Sequence, residues 1–426
     1  MENCYMTDRI IEKKILEALK GKEILFLLGS RQVGKTTLAK MIMQKSSIAQ
    51  KLYIDLEDRT KRELFEGVGV EQIGQILRLE GIDVSLPFLL VFDEVQKLND
   101  PSNLLKLLHD HFGSGKIVAS GSSSLEIKSK FSDSLAGRKK VFHIKPLCFD
   151  EFLEFRGATR LKSFREMVKN ESDKLKLKAL ATSLASQFAS YLEEYLVYGG
   201  YPEVALIEKK EDKIEKLYSI VDSYIQKDIR DIANIENIDG YNALLKYISI
   251  NSGSPINISS LSKEIKLSVN TVNKYIQILK DTFIIGELLP YSRNKNSEIS
   301  KNRKLYFLDS GARNLQTMSF NNLSMRSDVG ELYESHVFNA LGFDMAITDS
   351  LRFYRTLNKA EIDFLLFCQN GVSLYEVKSG TTDKKPKIFF EFAKKYTELN
   401  IHSMSLINRD LFEFRDGVWF LPIWMI

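Results

Sequence analysis

Short apolar runs alternate with amphipathic stretches over the first third of the chain. Ile24–Leu28, Leu52–Leu56, Phe88–Phe92, Lys116–Ser120 and Lys140–Ile144 read as strands, and segments between them, such as Leu104–Leu108, carry helical periodicity. This alternation predicts an α/β unit with a mainly parallel sheet and helices on both faces. Ligands of such sheets gather at the carboxyl ends of the strands. From about 150 to 240 the pattern is helical, with one firm break at Gly199-Gly200-Tyr201-Pro202. Ile258–Ile265 and Val269–Leu279 then read as two helices around the turn Lys266-Leu267-Ser268, with a strand at Phe283–Leu289. That order predicts a helix-turn-helix with a wing. Near the end, Glu331–Phe338 is helical, and Ala360–Leu366 and Val372–Lys378 alternate as strands. At 426 residues one core is too few, and the boundaries fall near 1–150, 151–240, 241–310 and 311–426.

The first strand runs into Gly29-Ser30-Arg31-Gln32-Val33-Gly34-Lys35-Thr36, the pattern G-x-x-x-x-G-K-[ST], and a helix follows. Strand, glycine loop and helix form the context in which this motif cradles phosphate. The glycines let backbone N–H groups turn inward, Lys35 supplies a point charge for the β- and γ-phosphates, and Thr36 offers a hydroxyl to Mg²⁺. The third strand ends in Asp93-Glu94. Asp93 is placed to hold Mg²⁺ through water, and Glu94 to orient and deprotonate the attacking water. The expected ligands are therefore ATP and Mg²⁺, and a base at Glu94 argues against a kinase.

Two further candidates follow. The fourth strand ends in Ser120-Gly121-Ser122-Ser123-Ser124, where a hydroxyl either senses the γ-phosphate or caps a helix. The sequence does not choose between Ser120 and Ser122; Ser122 is carried as the catalytic candidate. Arg138, just before the fifth strand, is either an arginine finger, in cis or in trans, or a solvated surface residue. In the helix-turn-helix, Asn270, Thr271, Asn273 and Lys274 face a DNA groove if the module binds DNA, and a neighbouring domain if it does not. The basic stretch Arg293, Lys295, Lys301, Arg303 and Lys304 leans toward nucleic acid.

Composition changes little. A net charge of +4 is compatible with nucleic-acid binding without arguing for it. Cys4, Cys148 and Cys368 are too scattered for a disulfide framework or a zinc site, which fits a reducing, cytoplasmic setting. His109 and His111 lack a third ligand. The N-terminus does not read as a signal peptide, and no apolar run is long enough to span a membrane.

The tail holds a second constellation. Glu376 and Lys378 share one face of a strand, and Asp363 joins them if the two alternating runs form a hairpin. Glu334, on the preceding helix, is an accessory acid. Two carboxylates and an ammonium on one spot suit metal-dependent phosphodiester cleavage. Alternating charge on a sheet surface gives the same pattern, and the helix-strand-strand order tips the reading toward a nuclease-like fold.

Taken together, the motifs resemble a family of bacterial and archaeal predicted ATPases in which an AAA-type domain is fused to a C-terminal domain of unknown function. The matching segments are Gly29–Thr37, Phe92–Gln96, Gly121–Ser123, Leu135–Arg138, Pro146-Leu147, Glu151–Leu153 and Tyr198–Val204, then Lys304–Gly311, Gly330–Glu334, Glu361–Asp363 and Glu376–Lys378. The resemblance implies ATP binding across Gly29–Thr37, hydrolysis, a helical lid, and a tail of restriction-endonuclease-like fold. Where the family pattern has threonine before Gly121, this chain has Ser120. The leading expectation is an ATPase whose nucleotide state controls a nucleic-acid-binding or nuclease-like tail. The alternative is a nucleotide-dependent switch or scaffold that recruits a protein partner, with a silent tail. The partners implied are ATP, DNA or other nucleic acid, and a second copy or another protein; no membrane is implied.

Overall fold

The computed structural model describes residues 7–121, 135–171, 174–224, 235, 237–293, 302–343 and 345–426. Two compact units emerge. One comprises residues 1–145, 222–235 and 281–283; the other comprises 146–221, 236–280 and 284–426.

In the first unit the chain runs α1 (Ile10–Ala18), β1 (Ile24–Leu28), α2 (Lys35–Lys45), β2 (Gln50–Asp55), α3 (Arg59–Leu64), α4 (Val70–Leu79), β3 (Phe88–Asp93), α5 (Pro101–His111), β4 (Gly115–Gly121) and β5 (Lys139–His143). The five strands lie in the order β2-β3-β4-β1-β5, and each adjacent pair is parallel. Every residue of β1 and β3 is buried, as their unbroken apolar runs require of strands covered on both faces. Phe26, Phe88, Phe92, Leu105 and Leu108 belong to this core. The order inserts β4 between β1 and β3, so the end of β4 lies between the glycine loop and the acidic strand end. This is the parallel α/β architecture expected of an AAA-type phosphate-loop domain.

The second unit begins with helices: α6 (Phe149–Phe155), α7 (Thr159–Asn170), α8 (Lys178–Tyr198), α9 (Pro202–Leu206), α10 (Lys210–Tyr224) and α11 (Ile238–Ile250). Then come β6 (Pro255–Ile256), α12 (Ile258–Glu264), α13 (Val269–Asp281), β7 (Ile285–Pro290), β8 (Arg303–Phe307), α14 (Ser310–Thr317) and α15 (Val329–Leu341). The last elements are β9 (Ser350–Arg355), β10 (Glu361–Cys368), β11 (Gly371–Val377), α16 (Lys387–Lys395), β12 (Ile401–Asn408), β13 (Glu413–Arg415) and β14 (Val418–Pro422). One sheet runs β13-β14-β12-β11-β10-β9-β7-β8-β6. It joins the strands after the helix-turn-helix to those of the tail through the pair Leu289↔Arg352. The boundary anticipated near 310 therefore lies inside one sheet.

Two motifs of the resemblance meet in this unit. The Asp309 carboxylate accepts from Gly200 N at 2.7 Å and from Ala312 N at 2.8 Å, capping α14 while holding the Gly199-Gly200 turn. A Cβ on Gly200 would lie 2.4 Å from Leu147 O, and one on Gly311 would lie 2.2 Å from Tyr198 O. Glycine is required at both positions by close backbone approach. Burial pushes the Asp309 carboxyl up to about 6, against the pull of the N–H donors. Among the described residues no helix is long and apolar enough to cross a membrane.

Candidate active sites: a phosphate loop and an acidic cluster

The loop Gly29–Gly34 joins β1 to α2 at the carboxyl edge of the first sheet. A Cβ on Gly29 would sit 2.1 Å from Ile144 O, so only glycine fits there. Gln32 and Gly34 have φ of 59° and 89°, which turns the backbone into the cradle. From below, buried Arg9 donates to Val33 O at 3.0 Å and to Lys145 O at 2.8 Å, tying the loop to the segment after β5. Lys35 folds back over the loop, and its ammonium donates to Gly29 O at 3.1 Å and Ser30 O at 2.8 Å. Ser30 Oγ and Gln32 Oε1 are buried without a hydrogen-bond partner. The Ser30 hydroxyl is a donor that a phosphate oxygen would satisfy, whereas the Gln32 oxygen is itself an acceptor.

Asp93 ends β3 beside the loop. Its Oδ2 accepts from Thr36 Oγ1 at 2.7 Å and from the Tyr53 hydroxyl at 2.6 Å, and its Oδ1 accepts from Ser120 Oγ. Burial and the Asp93 carboxylate push the Tyr53 phenol far up, so it stays a donor. Ser120 Oγ also accepts from Glu94 N at 3.1 Å. Glu94 sits at φ 56°, in the left-handed region that few non-glycine residues occupy, and its carboxylate accepts from Gln96 Nε2. The strained turn separates the two carboxylates: Asp93 faces the threonine hydroxyl, and Glu94 is held by Gln96. Thr37 follows Thr36 in the first turn of α2.

Ser120, one of the two serines the sequence left open, is thus bonded to both Asp93 and the Glu94 backbone. Ser122 lies outside the described residues. Arg138 takes a different place from a finger acting in cis. It precedes β5, and Ile24 N donates to its carbonyl at 2.8 Å, which puts it at the amino edge of the sheet. The phosphate loop is at the other edge, about 15 Å away along a five-residue strand. Its guanidinium forks onto Asp110 at 2.8 and 3.2 Å and draws that carboxyl down to about 2. A cis role is therefore ruled out by strand direction. Sequence reasoning missed Tyr53 and Arg9, because their roles depend on which strands are neighbours.

In the second unit β10 and β11 form the antiparallel hairpin, with Phe364↔Tyr375 and Leu365↔Leu374 in register. Extending that register sets Asp363 opposite Glu376, and Val377 N donates to Asp363 Oδ2 at 2.8 Å. A bulge between Ile362 and Leu365, where β10 meets β9, re-aims the strand at this point. Lys378 donates to Glu376 Oε1 at 2.6 Å. The carboxylates whose oxygens lie within 4.8 Å of one another are Glu334, Glu361 and Asp363. Glu361 takes the place in that trio that the sequence reading had given to Glu376. Burial first, then Glu334 and Glu376, push the Asp363 carboxyl well above its ordinary range, and Glu376 is also raised, chiefly by burial. A cleft of about 600 Å³ opens here, lined by Glu361, Glu376, Lys378, Thr381, Lys384 and Lys387.

Among the described residues of the basic stretch, Arg303 pairs with Glu287 at 2.7 Å, the exposed Arg293 pairs with Glu398, and Lys304 is buried against Glu334 and Glu361. Lys295 and Lys301 lie outside the described residues. The helix-turn-helix forms as α12 and α13, with Asn270 and Lys274 exposed; Asn273 accepts from Arg303 at 3.3 Å.

Residues 21–153 match the AAA domain family. Residues 189–322 and 329–426 match two domains of unknown function, DUF8612 and DUF4143. The chain is 27% identical over 94% of its length to the uncharacterized protein MJ1544 of Methanocaldococcus jannaschii, spanning 85% of that protein. It is 20% identical over 95% of its length to the uncharacterized protein Rv2008c of Mycobacterium tuberculosis, spanning 81% of it. Among solved structures, the Walker-type ATPase PABY2304 of Pyrococcus abyssi aligns over 73% of this chain and 96% of its own, at 16% identity and a TM-score of 0.46. None of the matches just named describes the restriction-endonuclease-like fold expected of the tail. The first unit carries an AAA-type, nucleotide-binding ATPase domain.

Proposed function

We propose that the chain is a Mg²⁺-dependent ATPase whose nucleotide state governs a phosphate-seeking tail. The observation that carries the ATPase reading is the meeting of Lys35, Thr36, Asp93 and Glu94 at one sheet edge, with Ser120 bonded between the two acids. The Ser30 hydroxyl, which has no hydrogen-bond partner, and the loop amides donate to phosphate oxygens; Lys35 exchanges its carbonyl contacts for the β- and γ-phosphates. Thr36 and Asp93 would hold Mg²⁺, which neutralises phosphate charge when bound. Glu94 takes a proton from water, whose oxygen bonds to the γ-phosphorus as the bond to the β-phosphate oxygen breaks, leaving ADP and phosphate. Arg138, on the far edge, reaches a γ-phosphate only in a second copy of the chain; activity per chain that rises with concentration would support this.

The tail reading rests on the lysine-rimmed cleft beside Glu361 and Glu376, which suits a phosphodiester backbone. The silent-tail alternative is favoured by one observation: the acidic trio already holds a lysine ammonium. Calorimetry with a non-hydrolysable ATP analogue tests the ATPase site, and Lys35→Ala should lose binding by about 100-fold or more. Unchanged affinity would move the site elsewhere. Turnover measured with and without DNA separates the tail readings: stimulation favours nucleic acid, and indifference with ATP-dependent protein capture favours the switch.

A further inference from the structure

Glu334, Glu361 and Asp363 have the spacing at which carboxylates share one divalent cation. A cation of the chain itself is already there. Lys304 is 1% exposed, and its Nζ lies 2.8 Å from Glu334 Oε1 and 2.5 Å from Glu361 Oε1. The same ammonium stands 5.3 Å from the centre of the Phe353 ring. Tyr306, two residues on and so on the same face of β8, donates to Glu334 Oε1 at 2.6 Å. Gly253 leaves room for this arrangement: a Cβ there would come within 3.1 Å of both Glu334 Oε1 and the Tyr306 ring. Lys304 is flanked by Pro255 on one side and Leu288 on the other, so it is fixed by an interior strand rather than by a loop. A second observation points to a ligand at the same place. Glu376 is about nine-tenths buried and lines the cleft with Glu361; its Oε1 accepts from Lys378, and its Oε2 has no hydrogen-bond partner.

We propose that Lys304 is a resident counter-cation of this cluster: it stands in for a divalent metal at Glu334, Glu361 and Asp363, and the two exclude one another. With the ammonium in place, a divalent cation meets a like charge at the ligands it needs; with the ammonium removed, the same carboxylates repel one another and take up a cation. The tail is then held metal-free for as long as Lys304 keeps its place in β8. This goes beyond the functional reading above and does not rest on the tail meeting nucleic acid.

The test uses the full chain without nucleotide, with Asp93→Asn throughout so that the phosphate-loop site lacks the carboxylate that would hold its metal. Mn²⁺ binding is followed by the spin-resonance signal of the free ion. Adding Lys304→Met should tighten Mn²⁺ binding by ~10-fold or more over the Asp93→Asn chain, and Glu334→Gln on top should abolish the gain. A stable Lys304→Met chain that gains no Mn²⁺ overturns the proposal. So does an Asp93→Asn chain that binds Mn²⁺ as tightly as the Lys304→Met chain and loses it on Glu334→Gln. If Lys304→Met does not fold, Lys304→Met with Asp363→Asn thins the acidic cluster while removing the ammonium and carries the same test on Glu334 and Glu361, with the same two outcomes deciding it.

Discussion

Each unit holds a lysine near clustered carboxylates, and the two arrangements differ in what those groups touch. In the phosphate loop Lys35 rests on two backbone carbonyls, and Asp93 is met by three hydroxyls, from Thr36, Tyr53 and Ser120. In the tail Lys304 lies directly on Glu334 and Glu361. Hydrogen bonds in which one partner is charged contribute about 1.5–3 kcal/mol each, and a nucleotide with its metal would replace them with contacts of the same kind. Breaking a buried ion pair by removing one partner costs about 3–5 kcal/mol, because the other charge is left uncompensated. The same residue types therefore make one site that awaits a ligand and one whose charges are already met from within.

The sharpest way to break this contrast is at Glu94. Glu94→Gln should keep nucleotide affinity while lowering turnover by about 10²–10⁴-fold, if the first site is built for chemistry and its base is Glu94. Calorimetry and phosphate release on the same preparation check it; near-normal turnover would remove Glu94 from the mechanism.

Stability offers the next comparison. Both tryptophans, Trp419 and Trp424, lie in the second unit, so their fluorescence reports its unfolding alone. Lys304→Met should cost that transition about 3–5 kcal/mol in urea. Tyr53→Phe, which removes a single hydroxyl donor from the Asp93 carboxylate, should cost the first unit only about 1.5–3 kcal/mol, read by circular dichroism. Equal costs would mean that the two clusters are held alike.

Asp309 sharpens the point, since it is a buried carboxylate facing backbone N–H groups and no cation. Its carboxyl is raised to about 6, with burial the leading cause. A raised acid favours the folded state fully below its unfolded value and loses that contribution as pH rises through the folded value. Wild-type stability relative to Asp309→Asn should therefore fall by up to about 3 kcal/mol between pH 4 and pH 7, by tryptophan fluorescence. A flat or rising difference would show that the N–H donors outweigh burial.

The phosphate loop was legible because its chemistry is consecutive: Gly29 to Thr36 act where they stand, and the strand boundaries followed from apolar runs to within about two residues. Tyr53 was not legible, since it reaches Asp93 only because β2 lies beside β3, and nothing local announces that neighbour. Whether Arg138 acts in cis or in trans was left open for a related reason. Its distance from the loop in sequence says nothing of which edge of the sheet it occupies. Lys304 looked like one more lysine in a basic stretch; its burial comes from carboxylates on α15 and β10, 30 and 57 residues further along. Asp363 opposite Glu376 was foreseen as a hairpin geometry, but Glu361 was not foreseen as a ligand, because the bulge in β10 alters the simple alternation.

The continuity of the second sheet limits how this chain can be divided and recombined. A fragment starting at residue 311 would lose β7 and β8, exposing the β9 edge that now pairs through Leu289 and Pro290. It would also carry Glu334, Glu361 and Asp363 without Lys304 or Tyr306. Such a piece would enter another protein as an adhesive strand edge beside uncompensated negative charge. The core of this sheet also takes in Phe152, Phe188 and Leu196 of the preceding helices, so a seam just upstream of β6 would cut through it, and the helices from α6 onward travel with the helix-turn-helix and the tail as one inheritable block.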